Sequence, residues 1–166
     1  MPGMSTYAVT AVGPDAPGEV AALAEVLAGL GANLQDASMT RLRGHFAMTL
    51  VAVLAQSAEA VQVALEAAGT GLHVVVWELD PAAEPVAVGG AYRITVHGAD
   101  RPGIVAHLAR TVASHHGNIT DLTCRLAGGL YVVTLEVDLP SVDGVEEALR
   151  AAGLHVHLEP VDEDVL

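Results

Sequence analysis

The sequence has no lysine, one cysteine and few aromatic residues, and each shortage excludes a class of protein. Seven arginines stand against 20 acidic residues, which gives a formal net charge of −13. Direct binding of DNA or RNA is not expected, because a nucleic-acid-binding protein needs a basic surface to displace counterions. The lone Cys124 excludes an intrachain disulfide and is typical of the reducing cytosol, so we expect a cytoplasmic protein.

Long apolar runs are also missing from the chain. No run approaches the ~20 residues that a membrane-spanning helix needs, and Met1 to Thr6 lack the basic and apolar regions of a signal peptide. We therefore expect neither a membrane span nor export. Aromatic residues make up 3% of the 166 residues, so the core has to be built from valine, leucine, isoleucine and alanine.

One pattern occurs twice in the chain. The second copy follows at an offset of 85 residues, as Tyr7 and Tyr92 illustrate, and the offset holds without a gap for about 45 residues. The matched pairs include Gly13/Gly98, Asp15/Asp100, Pro17/Pro102, Gly18/Gly103, Val20/Val105, Leu23/Leu108, Asn33/Asn118, Asp36/Asp121, Gly44/Gly129 and Thr49/Thr134. A period this long exceeds that of a solenoid unit, so each copy is predicted to be a domain. We predict a first domain at 5–80, a linker at 81–90, a second domain at 91–160 and an acidic tail at 161–166.

The hydrophobic periodicity of each copy predicts the order strand, helix, strand, strand, helix, strand. In the second copy it places a helix at Pro102 to His115, a hairpin turn at Ala127 to Gly129 and a last helix capped by Ser141 that runs to Ala152. Ser57 is the candidate cap for the matching helix of the first copy. This order is that of the ferredoxin-like fold, an α+β fold with four antiparallel strands and both helices on one face. We predict two such domains, paired side by side into one eight-stranded antiparallel sheet with the helices on one face.

The fourth strand of the first copy, Leu72 to Leu79, departs from this plan because it is apolar on both faces. Val74 faces one side, while Val75 and Trp77 face the other. When helices cover one face of a sheet, the other face is normally polar and exposed to solvent. We therefore expect this strand to be covered on both faces, by the other domain or by another subunit.

The turn between the first strand and the first helix is the most informative stretch of each copy. It runs from Gly98 to Val105 in the second copy and from Gly13 to Val20 in the first. The first amides of a helix have no intrahelical acceptor, and the helix dipole adds positive charge there, so such a turn can bind a carboxylate or a phosphate. Turns of this kind also serve only as connectors, and the turn taken alone favours that interpretation.

Two motifs of the second copy resemble those of the ACT domain, a small regulatory module that binds amino acids. The motifs are Asp100-Arg101-Pro102-Gly103-Ile104-Val105 and Gly117-Asn118-Ile119-Thr120-Asp121. The pair is similar to that of the N-terminal domain of formyltetrahydrofolate deformylases and, as a tandem, to that of the glycine cleavage system transcriptional repressor family. The resemblance covers nearly the whole chain outside the linker and the termini.

This resemblance implies an amino-acid site at the seam between paired domains, where turn amides and an asparagine of the second strand hold the ligand. The implied ligand-binding residues of the second copy are Asp100, Arg101, Gly103, Ile104, Asn118, Ile119 and Asp121. We expect the turn amides to bind the carboxylate with added charge from Arg101, Asn118 to bind the zwitterion, and Asp121 or Asp100 to bind the ammonium group. Purely structural roles for Asp100, as a turn cap, and for Asn118, in a left-handed turn, are equally open.

The first copy keeps only part of the motif. Its implied ligand-binding residues are Asp15, Gly18, Asn33 and Asp36. It has Ala16 in place of the arginine and Glu19 in place of Ile104. A carboxylate beside a helix start opposes an anionic ligand, so the second copy is predicted to be the better site.

The resemblance implies an amino-acid-binding regulatory protein in glycine or one-carbon metabolism, with glycine or serine as the ligand. The negative charge indicates that it acts through an unidentified protein partner, and association into a homodimer is expected. The alternative is a protein–protein interaction module with empty ligand sites. We predict no catalytic residue, cofactor or metal site, because two regulatory domains account for the chain and its histidines lack ligand spacing. Cys124 is expected to be a core residue rather than a nucleophile.

Overall fold

The computed structural model of the chain describes residues 3–84 and 88–162. The chain divides into two compact units, Met1–Glu84 and Pro85–Leu166, which we call the first and the second module. Residues 85–87 of the predicted linker and residues 163–166 of the predicted acidic tail lie outside the described residues. Within the described residues, no helix is long and apolar enough to span a membrane.

Both modules have the predicted element order. The first module consists of β1 (Ser5–Pro14), α1 (Glu19–Gly29), β2 (Asn33–Leu42), β3 (His45–Leu54), α2 (Ala58–Ala67) and β4 (His73–Glu78). The second consists of β5 (Gly90–Ala99), α3 (Ile104–Ser114), β6 (Asn118–Ala127), β7 (Leu130–Leu139), α4 (Val145–Arg150) and β8 (His155–Pro160). Their antiparallel sheets have the strand orders β2-β3-β1-β4 and β6-β7-β5-β8, which confirms two ferredoxin-like domains. The pairing of these sheets into one of eight strands stays a prediction.

Each module has a hydrophobic core of its own between the sheet and the helices. In the first module, Leu23 and Leu27 of α1 pack with the inward residues of the sheet, and Phe46 is the largest fully buried side chain. In the second module, Leu108 of α3 and Leu149 of α4 occupy the corresponding layer. Apart from Phe46 and Tyr7, the buried residues of the two cores are valine, leucine, isoleucine and alanine, as the scarcity of aromatic residues predicts.

The open faces of the two sheets, which the helices do not cover, differ in chemistry. On β1, β3 and β4 the open-face positions hold Thr6, Ala8, Thr10, Val12, Pro14, His45, Ala47, Thr49, Val51, Val53, His73, Val75 and Trp77, which include two histidines but no arginine, aspartate or glutamate. Val75 is 48% exposed and Trp77 is 62% exposed. On the second module the matching face carries Arg93, which contacts Glu136 at 3.1 Å and Glu159 at 3.9 Å. The expected second cover of β4 stays a prediction.

The helix starts agree with the sequence pattern in three cases out of four, although α3 begins at Ile104, two residues after the predicted Pro102. Gly18 and Gly103 precede α1 and α3 with φ of 91° and 90°, a left-handed conformation that favours glycine. Ser57 caps α2 by accepting a hydrogen bond from the Ala60 amide at 3.2 Å. The predicted cap of the last helix is wrong, because Ser141 accepts from the Asp143 amide instead, and α4 begins only after Gly144.

The physical reason for the shorter last helix lies in Gly144. Its φ of 74° is left-handed, and a left-handed residue cannot lie inside an α-helix. The amide of Val145 donates to the Val142 carbonyl at 3.2 Å, so a turn separates Ser141 from the helix. The helix consequently covers Val145–Arg150 rather than extending from Ser141 to Ala152.

Candidate functional site

The turn that joins β5 to α3 forms one wall of an open pocket of about 460 Å³. The lining residues are Asp100, Arg101, Pro102, Gly103, Ile104, Val105, Ala106 and Tyr131. The Asp100 amide donates a hydrogen bond to the Gly129 carbonyl at 3.4 Å, which fixes the turn against the hairpin between β6 and β7. The predicted turn residues of the second copy therefore lie together around one pocket.

The start of α3 presents amide groups to this pocket. The hydrogen bond that joins the helix to the turn is donated by the His107 amide to the Gly103 carbonyl at 2.9 Å. Among the described residues, no side chain caps this helix and no acceptor pairs with the amides of Ile104, Val105 or Ala106. Ile104 as a whole is only 4% exposed, and its side chain belongs to the core of the second module. The first turn also contains no acidic residue, which leaves the positive end of the helix dipole unopposed.

Arg101 lines the pocket, but its hydrogen bond points elsewhere. Its Nη2 donates to the carbonyl of Ala152, just beyond the end of α4. The side chain thereby ties the turn to the last helix of the module. The structure shows that Arg101 holds the turn through this hydrogen bond. Its expected contribution of positive charge to a bound ligand stays a prediction.

Tyr131 is the one lining residue of the pocket that does not come from the turn or the helix, and the sequence did not single it out. It lies at the start of β7, half-buried, and its hydroxyl oxygen accepts a hydrogen bond from the Cys124 thiol at 2.8 Å. The hydrogen bond to Cys124, burial and the nearby charge of Asp100 raise the pKa of Tyr131 above its usual value near 10.0. The phenol is therefore protonated at neutral pH. Cys124 itself packs against the core, as expected.

The first module has a pocket of about 470 Å³ at the equivalent turn, with different chemistry. Met39 and Phe46 line it at the positions that Cys124 and Tyr131 occupy in the second module. Glu19, 8% exposed, places a carboxyl group in the first turn of α1. This composition is consistent with the prediction that the first copy is the weaker site for an anion.

Asp15 has a partner that the sequence comparison missed. The Arg41 Nη1 donates to its Oδ2 at 3.3 Å, although the first copy has no arginine inside the turn. Arg41 matches Leu126 in the repeat, so alignment of the two copies does not reveal Arg41 as a partner of Asp15. The register of the hairpin between β2 and β3 predicts this ion pair, because Arg41 lies opposite Phe46, next to the turn.

The asparagines lie far from the turns of their own modules. Asn118 opens β6 opposite Asp138, and Asp138 lies opposite Ala91 at the start of β5. Asp100 follows Ala91 by nine residues, a distance of roughly 30 Å along an extended strand. Asn33 and Asp15 are separated in the same way. One module therefore does not bring the turn and its own asparagine together, and the grouping of these residues into one ligand site at a seam between domains stays a prediction.

The remaining predicted residues lie at the same end as the asparagines. Asp36 and Asp121 follow matching irregularities in β2 and β6, where each strand carries one extra residue. The Asp36 Oδ1 accepts a hydrogen bond from the Ala37 amide at 3.0 Å and lines a shallow hollow of about 200 Å³. Asp121 is exposed, whereas Ile119 packs against the core of the second module. Ile119 thus has a structural role in its own module.

Comparisons with known proteins agree with this architecture. Residues 92–154 match the family model of the ACT domain, and residues 5–76 match a second ACT domain model. UPF0237 protein MK1213 of Methanopyrus kandleri is 41% identical over 64 residues, which are 36% of this chain and 71% of that protein. A crystal structure of an unknown protein from Galdieria sulphuraria has a TM-score of 0.78 and 26% identity, over 96% of this chain and 100% of that one. A putative glycine cleavage system transcriptional repressor has a TM-score of 0.72 and 16% identity, over 96% and 99%, and this likeness shows the fold alone.

Proposed function

The chain belongs to the ACT domain family, and from this membership we propose that it is a cytoplasmic regulatory protein that binds a small free amino acid. The observation that carries the proposal is the pocket of the second module, where the first amides of α3 have no acceptor among the described residues. These amides and the helix dipole suit an α-carboxylate. The carboxylate of Asp100 in the same wall suits the ammonium group.

Glycine and serine are the first ligands to test. Both are small enough for a pocket of about 460 Å³, and neither brings an apolar side chain that the polar turn would have to cover. The similarity of the motifs to those of the glycine cleavage system repressor family supports a place in glycine or one-carbon metabolism.

A complete site needs two modules under this proposal. The turn end of one module supplies the amides, and the asparagine end of another supplies Asn33 or Asn118, because the two ends of a single sheet lie too far apart. In a homodimer, a second copy of the chain supplies that asparagine end. Ligand binding then favours one arrangement of the modules and changes the affinity for a protein partner. The net charge of −13 favours a protein rather than a nucleic acid as that partner.

A thermal-shift screen tests the proposed function. Each of the twenty amino acids is added at about 5 mM, and a ligand present at one hundred times its Kd should stabilise the folded state by about 2.7 kcal/mol. Asp100→Asn should reduce the shift by removing the ammonium partner, while Asp15→Asn, the matched change in the first module, should leave it in place. If no amino acid raises the melting temperature, the proposed function is wrong.

A second candidate function, a protein–protein interaction module, is favoured by the open face of the first module. Its β1, β3 and β4 positions on this face hold no arginine, aspartate or glutamate, and Trp77 and Val75 are exposed there. The second module folds with charged residues on the matching face, so the fold itself does not require an apolar one. Exposed apolar surface of this kind marks interaction sites.

A further inference from the structure

The two turn pockets differ most at the wall that the sheet forms. In the second module that wall is Tyr131, whose neighbour across the hairpin is Cys124. In the first module the same two positions hold Phe46 and Met39, and both line the pocket. The backbone of the turn is alike in the two modules, with Gly18 and Gly103 in the same left-handed conformation, although Ala16 and Glu19 replace Arg101 and Ile104. The wall that Tyr131 or Phe46 forms therefore differs between the two pockets in its polar groups.

The hydrogen bond between Cys124 and Tyr131 leaves the phenol proton available. The thiol donates to the phenol oxygen at 2.8 Å, so one lone pair of that oxygen is used. Among the described residues, no oxygen or nitrogen accepts the proton of the Tyr131 hydroxyl, and the Cys124 sulfur is only a weak acceptor. Tyr7 shows the contrasting case, because its hydroxyl donates to the Gln56 carbonyl at 2.8 Å. A half-buried hydroxyl that lines a pocket and has no acceptor there is suited to a ligand acceptor.

We propose that the Tyr131 hydroxyl determines the ligand class of the second-module pocket by donating a hydrogen bond to the carboxylate of a bound amino acid. The inference rests on the proposed function of this pocket and adds a fourth donor, from another element, to the amides of Ile104, Val105 and Ala106. Donors from two elements select an anionic group over an uncharged amide of the same size. Cys124 is a positioning residue, because its thiol fixes the phenol oxygen and leaves the phenol proton as the donor.

The pocket of the first module supports this assignment by contrast. Phe46 has the same ring without the hydroxyl, and Glu19 adds a carboxyl group at the helix start. That pocket has no side-chain donor equivalent to Tyr131 among its lining residues, which are Asp15, Ala16, Gly18, Glu19, Val20, Ala21, Ala24, Met39 and Phe46. The two modules thus provide a natural comparison of the pocket with and without the hydroxyl.

The test is a calorimetric titration of the full chain with the amino acid found in the screen and with its carboxamide. Tyr131→Phe should weaken binding of the amino acid roughly 10- to 100-fold, the usual effect of a hydrogen bond to a charged group. It should change binding of the carboxamide much less, so that discrimination between the two probes falls. Tyr92→Phe, the same chemical change at the other end of β5, is the matched control and should leave both affinities unchanged.

The possible results separate the two proposals. If the wild type binds an amino acid and Tyr131→Phe binds it equally well, the role of Tyr131 is wrong and the proposed function survives. If the wild type binds no amino acid, both are wrong. The Tyr131→Phe variant is expected to fold, because Phe46 occupies the equivalent position of the first module. A melting curve of this variant without ligand checks that it is folded. Cys124→Ala should weaken binding less than Tyr131→Phe, and an equal or larger loss would contradict the assignment of the thiol as a positioning group.

Discussion

Exchange of one residue between the two helix starts provides the sharpest test of which turn binds an anion. Ile104 and Glu19 occupy equivalent positions in the first turns of α3 and α1. Ile104→Glu places a carboxylate beside the amides that we expect to hold the ligand carboxylate, so binding should weaken. Glu19→Ile removes such a charge from the first module. The fold tolerates both residues, because each module already contains one of them in this position, with 4% and 8% exposure respectively.

The size of the effect follows from Coulomb's law. If the new carboxylate lies roughly 6 Å from the ligand carboxylate, the repulsion is about 0.7 kcal/mol at the dielectric constant of water and about 2.8 kcal/mol at an effective value of 20. The pocket is open to solvent on one side, so the result should fall between these limits. The expected loss of affinity is about 3- to 100-fold.

Isothermal titration of the screened amino acid into each variant measures this loss. Ile104→Glu should show the weaker Kd, and the effect should shrink in 0.5 M salt because screening weakens repulsion between exposed charges. Glu19→Ile should leave the second-module Kd unchanged and can add a second, weaker site. An unchanged Kd in Ile104→Glu would refute the assignment of the ligand carboxylate to the start of α3. A loss of binding in Glu19→Ile alone would reverse the ranking of the two pockets.

Three further predictions concern surface, pH and core. Trp77→Glu should shift the sedimentation coefficient toward the monomer if the open face of the first module joins two copies, whereas His155→Glu on the second module should not. Because the pKa of Tyr131 is raised in the folded state, its ionisation should lower stability only as the pH rises above about 10, and Tyr131→Phe should remove part of that decline in urea unfolding curves. Leu108→Ala should cost 2 to 5 kcal/mol, a range of roughly the size known for buried leucines. Leu122→Ala, at 40% exposure, should cost clearly less, and equal losses would contradict the assigned core.

The fold could be predicted from the sequence because its signals are local and appear twice. Alternation of apolar residues specifies the strands, and the glycines of the hairpins and helix starts mark their ends. The error at Ser141 arose because a serine before an apolar pattern resembles a helix cap, whereas the left-handed Gly144 three residues later delays the helix. A serine that precedes an apolar pattern does not by itself show whether a helix or a separate turn comes next.

The candidate site was predicted less completely than the fold. The turn motif identified the residues from Asp100 to Ile104, but Tyr131 and Cys124 belong to a hairpin far along the chain, and only pairing of the strands places them at the pocket. The separation of Asn118 from Asp100 could have been derived. Both β6 and β5 are antiparallel to β7, so they run in the same direction and their starts lie at the same end.

The two separate cores have a consequence for how the protein melts. Because the buried clusters of the two modules share no residue, each can lose its structure as a cooperative unit of its own. Calorimetry should then resolve two heat-absorption peaks rather than one, and a single melting temperature would not describe the chain. An amino acid held by the turn pocket of one module should move one peak more than the other. In one calorimetric experiment, the peak with the larger shift in melting temperature thus identifies the module whose turn pocket binds the ligand.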